Sequence, residues 1–432
     1  MVAATIAQQI GAVAPPAADA RERLLTFLAP RNVLLVLDNF EHLLDAAPLV
    51  SEILAACAAV TALVTSRAPL SLHGEREREV PPLSVPDAAD LFVRRVRDIQ
   101  ADVARTDENA PVIADICARL DGLPLALELA ARRIKTYGSV AALLAALAPA
   151  LPALVGGPRD APARQRTMRA AIAWSYDLLR DDEQTLFRRL AVFGGGWALE
   201  AAEAVCADAV VEKDAVLDLL TELADKSLVQ APSVATPHPR YGLLETVRQY
   251  GRELLDEGGE TATLRGRHRD WYLRLAETAE AYQSDAVWES WVDRLEADHN
   301  NLRAALAWNA AEPGGLEQRL RLAAALWRFW AVRGYLREGS SWLVDAASLP
   351  STISLAVRAR ALCAAGGLAS YQASTPAQVA AAAEILNQSV ILFRQMGAEG
   401  CLGLAYALHN LGQLLFEAGD SAGGQAHLGE AL

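Results

Sequence analysis

The sequence predicts a mostly α chain: a short α/β segment with a parallel sheet, then an all-α helical domain, a winged helix and an α-helical repeat solenoid. Three observations predict it. Residues 31–44 read RNVLLVLDNFEHLL, in which five apolar residues run straight into Asp38 and Asn39. Such a run ended by a carboxylate is a buried parallel strand that delivers its acid to the C-terminal edge of a sheet. That edge is where open α/β sheets bind ligands. Taken alone, the same run reads more readily as a buried strand ending in a turn. Residues 60–70, VTALVTSRAPL, give a second short strand ending in Thr65-Ser66-Arg67, which brings Arg67 to the same edge. From about residue 265 onward the apolar spacing is helical throughout and partly repeats.

The elements follow in order. Residues 1–85 alternate helix (2–12, 20–28), strand (33–37), helix (43–58) and strand (61–65), with a further short strand near Val80. This is βαβ patterning, closed by Pro81-Pro82 and Pro86. Residues 86–157 carry three helical stretches: DAADLFVRRVRDI, NAPVIADICARL and LPLALELAARRI. The last opens at Gly122-Leu123-Pro124, a helix start for which proline is well suited. Pro152, Gly156, Gly157 and Pro158 mark a linker. Residues 158–262 hold several helices and then two short strands, 227–230 and 240–244, around a Pro-rich loop, a winged-helix pattern. Residues 263–432 hold helix pairs that turn at Gly334-Tyr335, near Ser374-Thr375-Pro376 and at Gly419-Asp420. These turns recur at roughly 42 residues, longer than the usual ~34 of tetratricopeptide repeats. A non-repetitive helical domain is the alternative, most of all for the middle pair.

Composition narrows the classes. Hydrophobic content of 52% in 432 residues is ample for several cores, and a net charge of −13 argues against a general nucleic-acid binder. The start lacks the basic region of a signal peptide, and the longest apolar stretch, residues 140–157, is broken by prolines and too short to span a bilayer. A cytoplasmic location without membrane contact is expected. The five cysteines, at 57, 117, 206, 363 and 401, show no CxxC spacing and read as buried thiols in a reducing compartment.

The acid at residue 38 would need a phosphate-cradling partner loop, GxxxxGK[ST]. No such loop occurs in the sequence, and none of the three lysines, Lys135, Lys213 and Lys226, follows a glycine-rich turn.

The trio LVLDNFEH, LVTSR and GLPLALELAA resembles the signal-transduction ATPases with numerous domains. The nearest branch is the bacterial predicted ATPases and transcriptional regulators related to NB-ARC proteins. The likeness continues through TMRAAIAWSYDLL, LFRRLAVFGGGWALEAAEAVC, LLTELADKSLV, YGLLETVRQYGRELL and LEADHNNLRAALAW, and so covers essentially the whole chain. The resemblance implies a partial P-loop NTPase sheet in residues 1–85 and a tetratricopeptide-like solenoid in residues 263–432. In that family the phosphate loop and one more strand lie upstream of the residues matching MVAATIAQQIGA, so the chain is expected to start late; a truncated gene, a misassigned start codon and a genuine short form all fit.

The resemblance also implies the chemistry. ATP or ADP with Mg²⁺ would be the cofactors. Asp38 would hold the Mg²⁺ through its water shell. Asn39 stands where many phosphate hydrolases carry a water-activating carboxylate. Asparagine cannot take a proton, so turnover would at most be slow, with Glu41 as the substitute base, and only when the phosphate loop is present. Arg67 would sense the γ-phosphate, and Gly122, Leu123 and Pro124 would line the adenine side. The Met-His-Asp of many relatives is here Leu243, Leu244 and Glu245, which removes the histidine that meets ADP there.

Three functions remain open: an ATP/ADP-binding signalling switch that is nucleotide-incompetent as this chain; a scaffold working through the repeats; and a DNA-binding transcriptional regulator. The expected partners are a protein or peptide on the helical repeats, with nucleotide-dependent self-association. Trp327, Trp330, Tyr335 and Trp342 cluster around one repeat as anchors or as inter-helix core. No DNA is expected on the winged helix. Asp214, Asp218 and Glu222 fall at i, i+4 and i+8 on the helix placed for recognition, where phosphate contacts need Lys or Arg.

Overall fold

The computed structural model describes residues 2–12, 19–99, 106–147, 150–157, 166–232, 239–283, 286–308, 315–344 and 346–432. The chain forms two compact units. One holds residues 1–183, 217–231 and 244–250; the other holds residues 184–216, 232–243 and 251–432.

The first unit opens with α1 (Val2–Gln9) and α2 (Ala20–Leu28), then β1 (Val33–Leu37), α3 (Ala47–Ala56) and β2 (Val60–Val64). The two strands pair in parallel, Val33 opposite Val60 through Leu37 opposite Val64. Leu35 packs with Leu24, Leu28, Ile53 and Val60 into one core, while Phe40, Ala47 and Val50 form a second. The other side is open: Leu34, Val36 and Leu63 are 59%, 60% and 55% exposed. This corrects the expectation of a fully buried strand, because the period-2 alternation covers only one face. The short strand expected near Val80 is not formed either, and Val80 is 89% exposed. The preceding Glu75 to Glu79 run is charged, and Pro81 and Pro82 offer no ladder N–H.

Next come α4 (Val85–Arg97), α5 (Ala110–Arg119), α6 (Pro124–Arg132), α7 (Ile134–Tyr137), α8 (Val140–Ala146) and α9 (Met168–Tyr176). Phe92, Val96, Ile113, Ile116, Leu127 and Leu143 are fully buried among them. Ser84, Ser139 and Thr167 cap α4, α8 and α9 by accepting from backbone N–H groups three residues on, each worth about 1 kcal/mol. Of the predicted linker, Pro158 lies outside the described residues.

The winged-helix region holds α10 (Asp181–Leu190), α11 (Leu199–Cys206), α12 (Val216–Asp225) and α13 (Glu245–Glu257). The two predicted strands reduce to isolated bridge residues at Gln230, Tyr241 and Gly242, and Tyr241 pairs with Trp197. Most of the Pro-rich loop between them lies outside the described residues.

The second unit continues with α14 (Thr261–Ala281), α15 (Trp288–Ala297), α16 (His299–Ala307), α17 (Gly315–Arg333), α18 (Leu336–Trp342), α19 (Leu355–Gln372), α20 (Pro376–Gln395), α21 (Cys401–Glu417) and α22 (Ser421–Ala431). The last three pairs turn where the sequence places them. Gly334 and Gly419 have φ of 78° and 96°, the left-handed region that favours glycine. Thr375 and Gln378 form a capping box at the middle turn. Trp327 and Trp330 are buried core, whereas Tyr335 and Trp342 are half-buried. Four cysteines are buried as expected; Cys401 is exposed. No described helix is long and apolar enough to cross a membrane.

Candidate functional site

The ends of β1 and β2 build the candidate site, which lies wholly in the first unit. Because the strands run parallel and in register, Asp38 and Thr65 emerge side by side. The Thr65 hydroxyl donates to Asp38 Oδ1 at 2.5 Å, and the Asn39 N–H donates to Thr65 Oγ1 at 2.9 Å. Asn39 takes a left-handed conformation, φ 65°, which asparagine tolerates better than most residues. The bend turns the chain into the 3₁₀ segment Phe40–His42, where the Phe40 N–H donates to the Thr65 carbonyl at 2.9 Å.

Arg67 is the most connected residue of this edge. Its Nε lies 3.6 Å from Glu41 Oε1, and the Glu41 side chain is 7% exposed. Its guanidinium donates to the Ser175 hydroxyl on α9 and lies 5.0 Å from the centre of the Trp174 ring. Its carbonyl accepts from the Ser227 hydroxyl at 3.2 Å. Sequence reading expected Asp38, Asn39, Glu41 and Arg67 at one edge, and the fold brings them together. It did not find Ser175, Trp174 or Ser227, which lie more than a hundred residues further along the chain.

Gly122-Leu123-Pro124 is tied elsewhere. Gly122 has φ 63°, and a Cβ there would meet the Leu83 carbonyl oxygen at 2.3 Å. Pro124 begins α6. The residue before the motif, Asp121, caps α13: its Oδ2 accepts from the Glu245 N–H at 2.7 Å. Burial pushes the Asp121 carboxyl up to about 6, against the backbone N–H groups of Glu245 and Thr246 that hold it down. Thus the Glu245 backbone N–H is held by Asp121, the residue immediately before the Gly122-Leu123-Pro124 turn. Gln249, one turn further along α13, accepts from the N–H groups of Ala150 and Leu151 at 2.9 and 3.1 Å.

These residues fit Mg²⁺ and nucleotide only in part. Asp38 is one carboxylate, already engaged by Thr65, and no group of three His, Cys, Asp or Glu among the described residues could hold a metal. With no GxxxxGK[ST] loop in the sequence, the residues at this edge do not make a phosphate grip, and no hydrolytic step is derived from them.

The predicted acidic stripe is not on one helix, because Asp214 lies in the 3₁₀ turn Lys213–Ala215 before α12, and it is only partly free. Asp214 and Asp218 are exposed, but Glu222 pairs with Arg180 at 2.5 Å. Lys226 pairs with the buried Glu183 beside it.

In the second unit, the GGGW turn at residues 194–197 is gripped by the DHNN segment at residues 298–301. Asn301 accepts from the Gly194 N–H at 2.7 Å and donates to the Gly196 carbonyl at 2.9 Å. Asp298 accepts from Arg240 at 2.7 Å and from the Tyr272 hydroxyl at 3.1 Å. A Cβ on Gly194 would lie 2.9 Å from the Asn300 carbonyl oxygen, so glycine is required there. His268 stands 3.4 Å from Asn301 Oδ1, and burial pushes its imidazole down to about 4. Two of the resembling motifs are therefore halves of one structural clamp.

Residues 179–256 match the winged helix-turn-helix domain family. Over 408 residues the chain is 41% identical to candidate HTH-type transcriptional regulators of Mycobacterium bovis and Mycobacterium tuberculosis, covering 93% of this chain and 46% of theirs. The chain thus spans about half the length of these relatives. It is 39% identical over 271 residues to uncharacterized proteins of the same two species, covering 62% of this chain and 68% of theirs. Among solved structures, a signal transduction ATPase with numerous domains and a tetratricopeptide repeat sensor, from Pyrococcus horikoshii, matches 98% of this chain and 65% of its own. That match has 14% identity and a TM-score of 0.27.

Proposed function

The chain belongs to one family with these mycobacterial proteins, and we propose that it is the relay and output part of a nucleotide-switched transcriptional regulator. The observation that carries the reading is the position of Arg67. One residue links the sheet edge, through Glu41, to α9 and the Ser227 turn. A terminal phosphate brought to that edge would compete with Glu41 and Ser175 for the guanidinium, since bidentate phosphate contacts suit arginine. Release of Ser175 would then report nucleotide state to the segment leading into the winged helix. Asp38 would hold Mg²⁺ and Pro124 would pack near the adenine in the complete site. The phosphate grip itself would have to come from a loop that the 432 residues do not contain.

The chain is accordingly expected to bind Mg·ATP or Mg·ADP no tighter than about 1 mM, because most phosphate contacts in such sites come from the loop's amides and lysine. Calorimetry on the 432-residue chain tests this. Micromolar binding would show that the grip lies within these residues and would sink the relay reading.

A second reading, DNA binding by the winged helix, is favoured by the description of the relatives as HTH-type regulators. Against it stand the exposed Asp214 and Asp218 of the recognition position, which duplex phosphates would repel. In the proposal, the repeats bind a protein or peptide partner, and any DNA contact is made by the half of each relative outside the matched region.

A further inference from the structure

We infer that the repeats carry a binding site for a small organic carboxylate with an apolar body, in the cleft where the start of α17 faces the end of α18. The cleft measures about 450 Å³, and its walls include Leu316, Leu320, Leu343 and Pro350 together with Arg319 and Trp342. That volume falls in the size range of small-ligand sites. Among the described lining residues there is no acid, and Arg319 is the one charged group.

Several arginines of these repeats are ion-paired. Arg303 meets Glu338, Arg321 meets Glu277, Arg333 meets Asp293 and Arg360 meets Glu280. Arg319 has no ion pair and no hydrogen bond to any described residue, and its Nε is enclosed without an acceptor. The indole N–H of Trp342, in the facing wall, is likewise enclosed without an acceptor. A guanidinium cannot shed its charge and presents five donors in a planar fork. A carboxylate matches that fork with two parallel bonds, and the leucines and the proline suit an apolar remainder. Trp342 is half-buried and would close over the ligand. The site is separate from the sheet edge, and its ligand does not depend on whether the chain binds nucleotide.

The experiment is calorimetric titration of the 432-residue chain with three probes, benzoate, hexanoate and 4-phenylbutyrate, each beside its neutral amide. At least one acid should give saturable heat, with its amide at least tenfold weaker. Arg319→Gln should lose the acid by tenfold or more, Arg319→Lys should keep part of it, and Trp342→Phe should weaken it a few-fold. Because Arg319 has no ion pair or hydrogen bond among the described residues, the melting temperature of Arg319→Gln should match the parent; Trp342→Phe gives an independent readout should it not. Saturable heat from none of the acids, equal binding of acid and amide, or undiminished binding by a folded Arg319→Gln would each overturn the proposal.

Discussion

At Asp121 the fold keeps a carboxyl group where its charge is unwelcome, and this gives the sharpest residue-level test. Its carboxyl is raised from 3.8 to about 6 by burial. A raised carboxyl contributes stability below pH 3.8 that is lost as the pH climbs through 6, so at pH 7.5 the charge costs on the order of 3 kcal/mol. Asp121→Asn still offers an oxygen to the Glu245 N–H and tolerates the left-handed backbone. It should unfold at higher urea than the parent at pH 7.5, with the gap closing by pH 4; no gain at pH 7.5 would refute the desolvation argument. At pH 4, where the carboxyl is protonated, Asp121→Ala should lose about 1 kcal/mol through the uncapped α13. His268 runs the other way. Burial lowers its imidazole from 6.5 to about 4, so its contribution is complete above pH 6.5 and is lost as the pH falls toward 4. Urea midpoints across that range should show the chain weakening, and His268→Gln should flatten the slope.

The elements show what could be read from sequence and what could not. The strands at 33–37 and 60–64 and the helix turns at Gly334, Thr375 and Gly419 were legible because each rests on local chemistry: an apolar run, a left-handed glycine, a capping box. Val80 was misread because a lone apolar residue between charges and prolines has nothing to pair with. The partners of Arg67, and Asp121's cap on α13, were not legible. Those hydrogen bonds join residues 108, 160 and 124 positions apart, and no local pattern records them. The role of Asn301 was hidden in the same way, although its motif had been singled out. Asn301→Ala should cost about 2–3 kcal/mol by leaving the Gly194 N–H unpaired, measured by denaturant unfolding with the slope unchanged. On the sheet, Val36→Thr with Leu63→Thr should leave the melting temperature within a few degrees while reducing self-association in sedimentation, because the open face is an aggregation hazard. Unchanged association would show that the face is not sticky.

At the scale of the whole molecule, a change at the sheet edge should be felt at α9 through Arg67, and the repeats should read a separate input. The winged-helix surface should leave duplex DNA unshifted at physiological salt in a mobility assay with the full chain; a salt-sensitive, sequence-dependent shift would promote the DNA-binding reading to first place. The relay itself is tested most directly by hydrogen exchange on Arg67→Ala beside the parent chain. Loss of the guanidinium removes the donor to Ser175 and the cover on Trp174. Exchange should therefore speed up by roughly tenfold in Met168–Tyr176, corresponding to about 1.4 kcal/mol of lost local stability, while Gly315–Arg333 exchanges as before. Unchanged protection of Met168–Tyr176 would contradict the claim that Arg67 couples the sheet edge to the winged-helix segment.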